Sequence, residues 1–421
     1  MHHPARRSLH CLLILLLPLA GLFGPLTEQR TEAADPPLQT VNSLPAWVLQ
    51  NDTVSLAVTR TGAHMAPVTF NRSSDKPIQP YYVSPWQDEP RQPFPAPVLQ
   101  ALRGDFFCLP FGGNSAAVNN EQHPPHGEIA GMDWTASSLQ RTGSLSALTL
   151  TADTKVRAGN ITRTLLLKDG HNVVYSTHLI RGFAGPAPLG HHATLAMPDN
   201  PGSVRISTSA LKFGMTCPGV FSDPAKREYQ RLLPGTTWKS LTAVPQAWKN
   251  APDADLTRLP GPAGFADLVQ IFPQPPPDGQ PAWVAAVFAD SGYLWFSMKD
   301  QSVLNSTVFW MEHKGRHGFP WNGRNNCLGL EDVTAYFAEG LQASVQPNEL
   351  TKQGIPTAIV LKPDQPTAIH YLQGAVPIPA NFDAVERVEF SSGLAVFHAV
   401  SGASVRVPVE HQFVFHGRLS E

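Results

Sequence analysis

The sequence predicts an all-β protein, a large antiparallel β sandwich, on three observations. Short runs of alternating apolar and polar residues recur along the 421-residue chain, as expected of half-buried strands whose successive side chains point to opposite faces. Proline (41 residues) and glycine (32 residues) punctuate the spaces between these runs, and both suit turns better than element interiors. Helical periodicity is scarce, which leaves little room for helices.

In chain order, residues 1–34 read as a secretory signal peptide. Arg6 and Arg7 precede an apolar run at 11–20 that is shorter than a bilayer span, and Ala33 and Ala34 offer a cleavage position before Asp35. The mature protein is therefore expected to be secreted or periplasmic, with no membrane attachment after cleavage. Strands are expected at 54–59, 147–151, 164–167 and 173–179, then at 283–288, 292–296, 307–310 and 357–361. The proline-rich stretches 77–97 and 272–279 read as irregular loops within one sandwich, because strand-like runs flank the second and no clean linker appears. Residues 35–374 are thus read as one β-sandwich domain. Residues 375–421 alternate again at 387–390, 394–397 and 405–409, which predicts a C-terminal β extension packed on the sandwich.

Composition narrows the function. Lys and Arg number 31 against 33 Asp and Glu, a formal charge of -2, so no basic stripe recommends nucleic acid or an anionic membrane as partner. A neutral ligand fits better. Once Cys11 leaves with the signal, Cys108, Cys217 and Cys327 remain. An odd number without close pairs argues against a disulfide framework or a zinc site. Cys108 and Cys327 lie in apolar strand-like runs and read as small buried residues.

Chemistry concentrates in residues 103–112 (RGDFFCLPFG) and 123–134 (HPPHGEIAGMDW). These place an arginine and two histidines on glycine- and proline-shaped loops. A guanidinium offers forked donors to hydroxyl oxygens, and an imidazole exchanges protons near neutral pH. Two further segments, 190–199 (GHHATLAMPD) and 327–332 (CLGLED), follow in order. The order Arg-Gly, Pro-Phe-Gly, His-Gly and Trp, then Gly-x-His and Leu-x-Leu-Glu, resembles the aldose 1-epimerase family, the galactose mutarotase-like proteins, over about residues 50 to 375.

The resemblance implies a β supersandwich and an isomerase that interconverts sugar anomers without cofactor or metal. It implies Glu331 as the base that takes the anomeric proton and His192 as the acid that protonates the ring oxygen. It also implies His126 as a hydrogen-bonding partner near that oxygen and Arg103 as a holder of sugar hydroxyls. Adjacent strand residues face opposite ways, so only one of His191 and His192 enters a pocket; the family register selects His192, with His191 as the alternative. Asp105 stands where the hexose-phosphate branch usually has glycine, a carboxylate that would bind hydroxyls and repel phosphate. Trp134 is a candidate to stack on a pyranose face.

Each acid or base correctly placed for such a reaction contributes about 10²- to 10⁴-fold. Glu331 and His192 are expected to converge on one cleft about a sugar-ring width apart. His123, His126 and Glu128 suggest a metal site by spacing, but two intervening prolines and the lack of a second ligand cluster argue against one. The donor-rich loop at 312–324 is expected either to line the cleft or to be a solvated surface loop. Asp332 replaces a proline common in the family, and Gly190 lacks the usual preceding tryptophan. A non-catalytic carbohydrate-binding protein on the same fold is therefore the alternative reading, and a glycan lyase or hydrolase the second alternative.

Overall fold

Alternation along residues 145–181 builds the first layer. Leu145–Thr154, Gly159–Lys168 and Val173–Arg181 form consecutive antiparallel hairpins, and the first two strands bury every second side chain. A computed structural model describes residue 1, residues 36–90 and residues 92–420. The signal peptide and its cleavage position lie outside the described residues.

Two large antiparallel sheets face each other. One has nine strands, with Ala282–Phe288, Tyr293–Lys299 and Thr367–Pro377 continuing the sheet beside Val173–Arg181. The other has eight, and its centre runs from Phe265–Pro273 through Ser306–His313 and Asn326–Thr334 to Leu189–His191 and Phe107–Cys108. Apolar side chains from both inner faces interdigitate, among them Leu328, Leu330 and Phe309 from the eight-stranded sheet and Leu148, Ile161, Trp295 and Ile369 from the nine-stranded sheet. Burial of such side chains contributes about 1.5–3 kcal/mol each.

All eight expected strand runs coincide with strands for most of their length. Helix is confined, among the described residues, to the short Leu341–Val345 and Phe413–His416 and a few 3₁₀ turns. Cys108, Cys217 and Cys327 are all free and buried.

Val385–Ser391, Leu394–Ala399 and Ser404–Pro408 form a separate three-stranded sheet. Ala395, Phe397, Val407 and Phe413 pack on the outer face of the nine-stranded sheet against Tyr175, Phe296 and Leu372. Strand Thr367–Pro377 runs through residue 374 without a break, so sandwich and appended sheet belong to one unit. With this face covered, the outer face of the eight-stranded sheet is left for the loops that build a pocket.

Candidate active site

Strand alternation decides which residues of 326–334 reach the pocket. Leu328, Leu330 and Asp332 face the space between the sheets, so Gly329 and Glu331 face outward. Glu331 is 1% exposed. Its neighbour Trp310, on strand Ser306–His313, points the same way and forms part of the wall.

His192 arrives from the segment that links Leu189–His191 to Ala193–Ala196. Its backbone N–H donates to the Phe106 carbonyl at 2.9 Å, and its ring stacks on the Phe106 ring at 4.6 Å between centroids. Phe106 in turn stacks on His64 at 4.0 Å. The His64 ring is pinned by the Ala130 carbonyl at 2.9 Å and by the Arg103 N–H, and burial drops its pKa to about 3. A neutral, fixed column of rings therefore holds His192 in place. Nδ1 of His192 lies 3.1 Å from Thr194 Oγ1, and Nε2 lies 3.2 Å from Glu331 Oε1.

His126 completes the cluster, its ring centroid 4.9 Å from that of His192. Its backbone is left-handed (φ 62°), as is that of Gly127 (φ 82°). A non-glycine residue rarely adopts this conformation without a surrounding structure that enforces it. Here the His126 N–H donates to Gly112 O at 2.7 Å, and its carbonyl accepts from Leu109 N. Any side chain at Gly127 would collide with the Leu109 carbonyl.

The charge states follow from burial. Desolvation pushes the Glu331 carboxyl well above the ordinary glutamate range, although the Arg316 charge opposes this. Desolvation, with His126 and Arg316 nearby, drives His192 well below the ordinary histidine value. Desolvation, helped by Arg316, lowers His126 to about 4. Burial thus favours the protonated form of the Glu331 carboxyl and the neutral form of the His192 imidazole. The Cys108 thiol, its pKa raised by burial, lies 3.4 Å from His126 Nδ1. The thiol and Nδ1 are thus paired, and the His126 tautomer sets which of the two donates.

These three residues line a cavity of about 350 Å³ with Trp310, Arg316 and Trp321, within the usual range for small-molecule sites. The Arg316 guanidinium lies over both indoles, at 5.7 Å from Trp310 and 5.2 Å from Trp321. The donor-rich loop thus lines the cleft. Arg316 and Trp310 were not picked out as site residues by the sequence, because nothing local shows that the loop folds back over its own neighbouring strand.

The other four sequence candidates lie outside this cavity. Arg103 is fully buried and donates to the carbonyls of Val41 and Asn42 and to Gln87 Oε1, where it fastens an N-terminal turn. Asp105 and His191 sit between the sheets, with His191 Nδ1 3.0 Å and Arg163 Nη2 3.3 Å from the Asp105 carboxylate. Burial alone would raise the Asp105 pKa, but His191 and Arg163 hold it below the usual value. Tyr371 stacks on His191 at 4.0 Å and donates to Asp332, which also meets Lys299, Ser297 and Thr307. Trp134 is a core residue whose Nε1 donates to Ile129 O at 2.9 Å. The corrections have two physical causes. For Arg103, Asp105 and His191, motif order fixes chain position, whereas side-chain direction depends on partners such as Val41 and Arg163 that are distant in sequence. Trp134 is turned inward by the local 3₁₀ turn that holds Ile129. His191 and His192 do face opposite ways, and His192 is the one in the pocket.

The expected sugar-ring width between Glu331 and His192 is also corrected, since their polar atoms are within hydrogen-bonding distance of one another. His123 Nε2 lies 3.1 Å from Glu121, whereas His126 faces Cys108. Among the described residues no group of three or more His, Cys, Asp or Glu side chains is arranged to hold a metal.

No protein-family model matches the chain, and no curated protein matches its sequence. Solved structures do share its architecture. A galactose mutarotase-like protein from Clostridium acetobutylicum superposes with a TM-score of 0.52 at 9% identity, over 81% of this chain and 98% of that one. A candidate mutarotase from Salmonella typhimurium gives 0.52 at 11% identity, over 81% and 93%. A candidate aldose 1-epimerase from Klebsiella pneumoniae gives 0.52 at 11% identity, over 80% and 81%. Two facing antiparallel sheets, matched over four fifths of the chain, establish that this protein has the galactose mutarotase-like fold.

Proposed function

We propose that this chain is an exported aldose 1-epimerase-like isomerase, in which Glu331, His192 and His126 interconvert sugar anomers by general acid and base catalysis. The observation that carries the reading is the 3.2 Å contact between His192 Nε2 and Glu331 Oε1 at the floor of the cavity. Mutarotation removes a proton from the anomeric hydroxyl and adds one to the ring oxygen. Both oxygens are borne by the same carbon, so an acid and a base side by side reach both.

The neutral resting pair supplies the chemistry in a balanced cycle. The Glu331 proton passes to His192 Nε2, which gives a carboxylate and an imidazolium, and Arg316 favours the carboxylate. The carboxylate takes the anomeric proton while the imidazolium protonates the ring oxygen. The ring opens to the aldehyde, the C1–C2 bond rotates and the reverse steps close the opposite anomer. The neutral His126 ring stands beside His192 as a further hydrogen-bonding group, and no cofactor is called for. Residues 1–34 carry the proposal of export, to a secreted or periplasmic location.

Polarimetry of freshly dissolved α-D-glucose and α-D-galactose tests the reading: relaxation accelerates in proportion to protein. A second reading, a carbohydrate-binding protein without catalysis, is favoured by one observation. None of Arg103, Asp105, His191 and Trp134, expected to hold the sugar, lines the cavity. Sugar binding without faster relaxation selects it.

A further inference from the structure

A second cavity adjoins the first. It has a volume of about 180 Å³, and Phe221, Ala266, Arg316 and Trp321 line both. Beyond this shared wall it is lined by Glu228, Tyr229 and Gly315. Its surface combines the two features that recognise a pyranose, flat aromatic area for the C–H face and charged groups for hydroxyls. Phe221 and Tyr229 are among the few large apolar side chains left exposed, at 37% and 41%.

These rings stand on a built support. Buried Gln230 accepts the N–H groups of Phe221 at 2.8 Å and Ser222 at 3.1 Å and donates to Gly219 O at 3.0 Å. Glu228 Oε1 accepts the N–H groups of His317 at 2.8 Å and Gly318 at 3.0 Å, which ties this hairpin to the Arg316 loop. Arg316 stands at the junction, its guanidinium over the two indoles. With Nε 3.6 Å from the Glu312 carboxyl, the guanidinium lines both cavities and so offers donors where an occupant of one would join an occupant of the other.

The geometry points to a second sugar subsite, so that the ligand is an oligosaccharide whose reducing-end residue enters the Glu331 cavity while the preceding residue lies against Tyr229 and Phe221. The assignment deepens the function proposed above and rests on that reading for the identity of the first occupant. A monosaccharide leaves the outer aromatic wall uncovered; a disaccharide covers it.

The test titrates the full processed chain with D-glucose, D-galactose, maltose, cellobiose and lactose, with binding read by NMR shifts and anomer exchange followed in the same samples. At least one disaccharide is expected to bind about tenfold or more tightly than either monosaccharide, a margin of about 1.4 kcal/mol. Tyr229→Ala, at an exposed position, is expected to shrink that margin severalfold, whereas Tyr229→Phe retains it. Equal or weaker binding of all three disaccharides, no binding of any sugar, or a margin untouched by Tyr229→Ala overturns the subsite. Tighter disaccharide binding without faster anomer exchange overturns the isomerase reading and leaves the subsite standing.

Discussion

The Glu331 carboxylate occupies the space that a side chain at Gly329 would fill. Both residues face outward from one strand, and a Cβ on Gly329 would fall inside van der Waals contact of Glu331 Oε1 and 3.1 Å from Trp310 Cβ. The glycine is what lets the carboxyl lie back along the strand toward His192. Gly329→Ala is therefore expected to displace Glu331 while the sheet persists. Loss of about 10²-fold in kcat for anomer exchange is expected from a misplacement near 1 Å, with the circular dichroism spectrum unchanged.

Cys108 is the hydrogen-bond partner of His126 Nδ1. The thiol lies 3.4 Å from Nδ1 and is fully buried. Cys108→Ser keeps a donor at this position, whereas Cys108→Val removes it. The valine variant is expected to lose about three- to tenfold in kcat, the worth of one hydrogen bond, and the serine variant much less. Imidazole ¹⁵N shifts of His126 check the cause: only the valine variant should mix the two tautomers.

Lys299 and Asp332 form a buried pair between the sheets, each 1% exposed. Lys299→Met leaves the carboxylate buried without its cation, and such losses cost about 3–5 kcal/mol. Urea unfolding measures this directly. Adding Asp332→Asn to that variant is expected to recover part of the loss, since it removes the stranded charge.

Stability should report the protonation of Glu331. Burial raises its folded-state pKa above the unfolded value, so between those two values the folded state binds more protons and wild-type stability falls as pH rises. Glu331→Gln abolishes this dependence. Relative to wild type it is expected to gain stability at neutral pH, with the gain shrinking as pH falls toward the ordinary glutamate value near 4.5. Thermal unfolding of both proteins from pH 4.5 to 7.5 gives the comparison. A gain independent of pH would mean that Glu331 is ionised in the folded state.

The fold was legible because strand signals are local. Alternation in Leu145–Thr154 and Gly159–Lys168 is set by the two faces of one sheet, and a sequence displays it directly. Glu331 and His192 were picked out by their place in motifs that resemble the aldose 1-epimerase family; alternation alone said only that His191 and His192 face opposite ways. Arg103, Asp105, His191 and Trp134 were not, because their directions are decided by the carbonyls of Val41 and Asn42, by Arg163 and by Ile129. All but the last of these partners are distant in sequence, and Ile129 lies in a 3₁₀ turn five residues before Trp134. Arg316 was half legible: its loop is rich in donors, but its place over Trp310 and Trp321 depends on the fold of the loop.

The most direct test of the central claim is anomer exchange at equilibrium, measured by NMR magnetisation transfer between α- and β-D-glucose with wild-type protein and with Glu331→Gln. Wild type is predicted to accelerate exchange above the spontaneous rate. The glutamine variant, which keeps the shape and loses the transferable proton, is predicted to lose about 10²- to 10⁴-fold of that acceleration. Equal acceleration by the two proteins would contradict the account, because the Glu331 and His192 pair would then take no part in moving the proton.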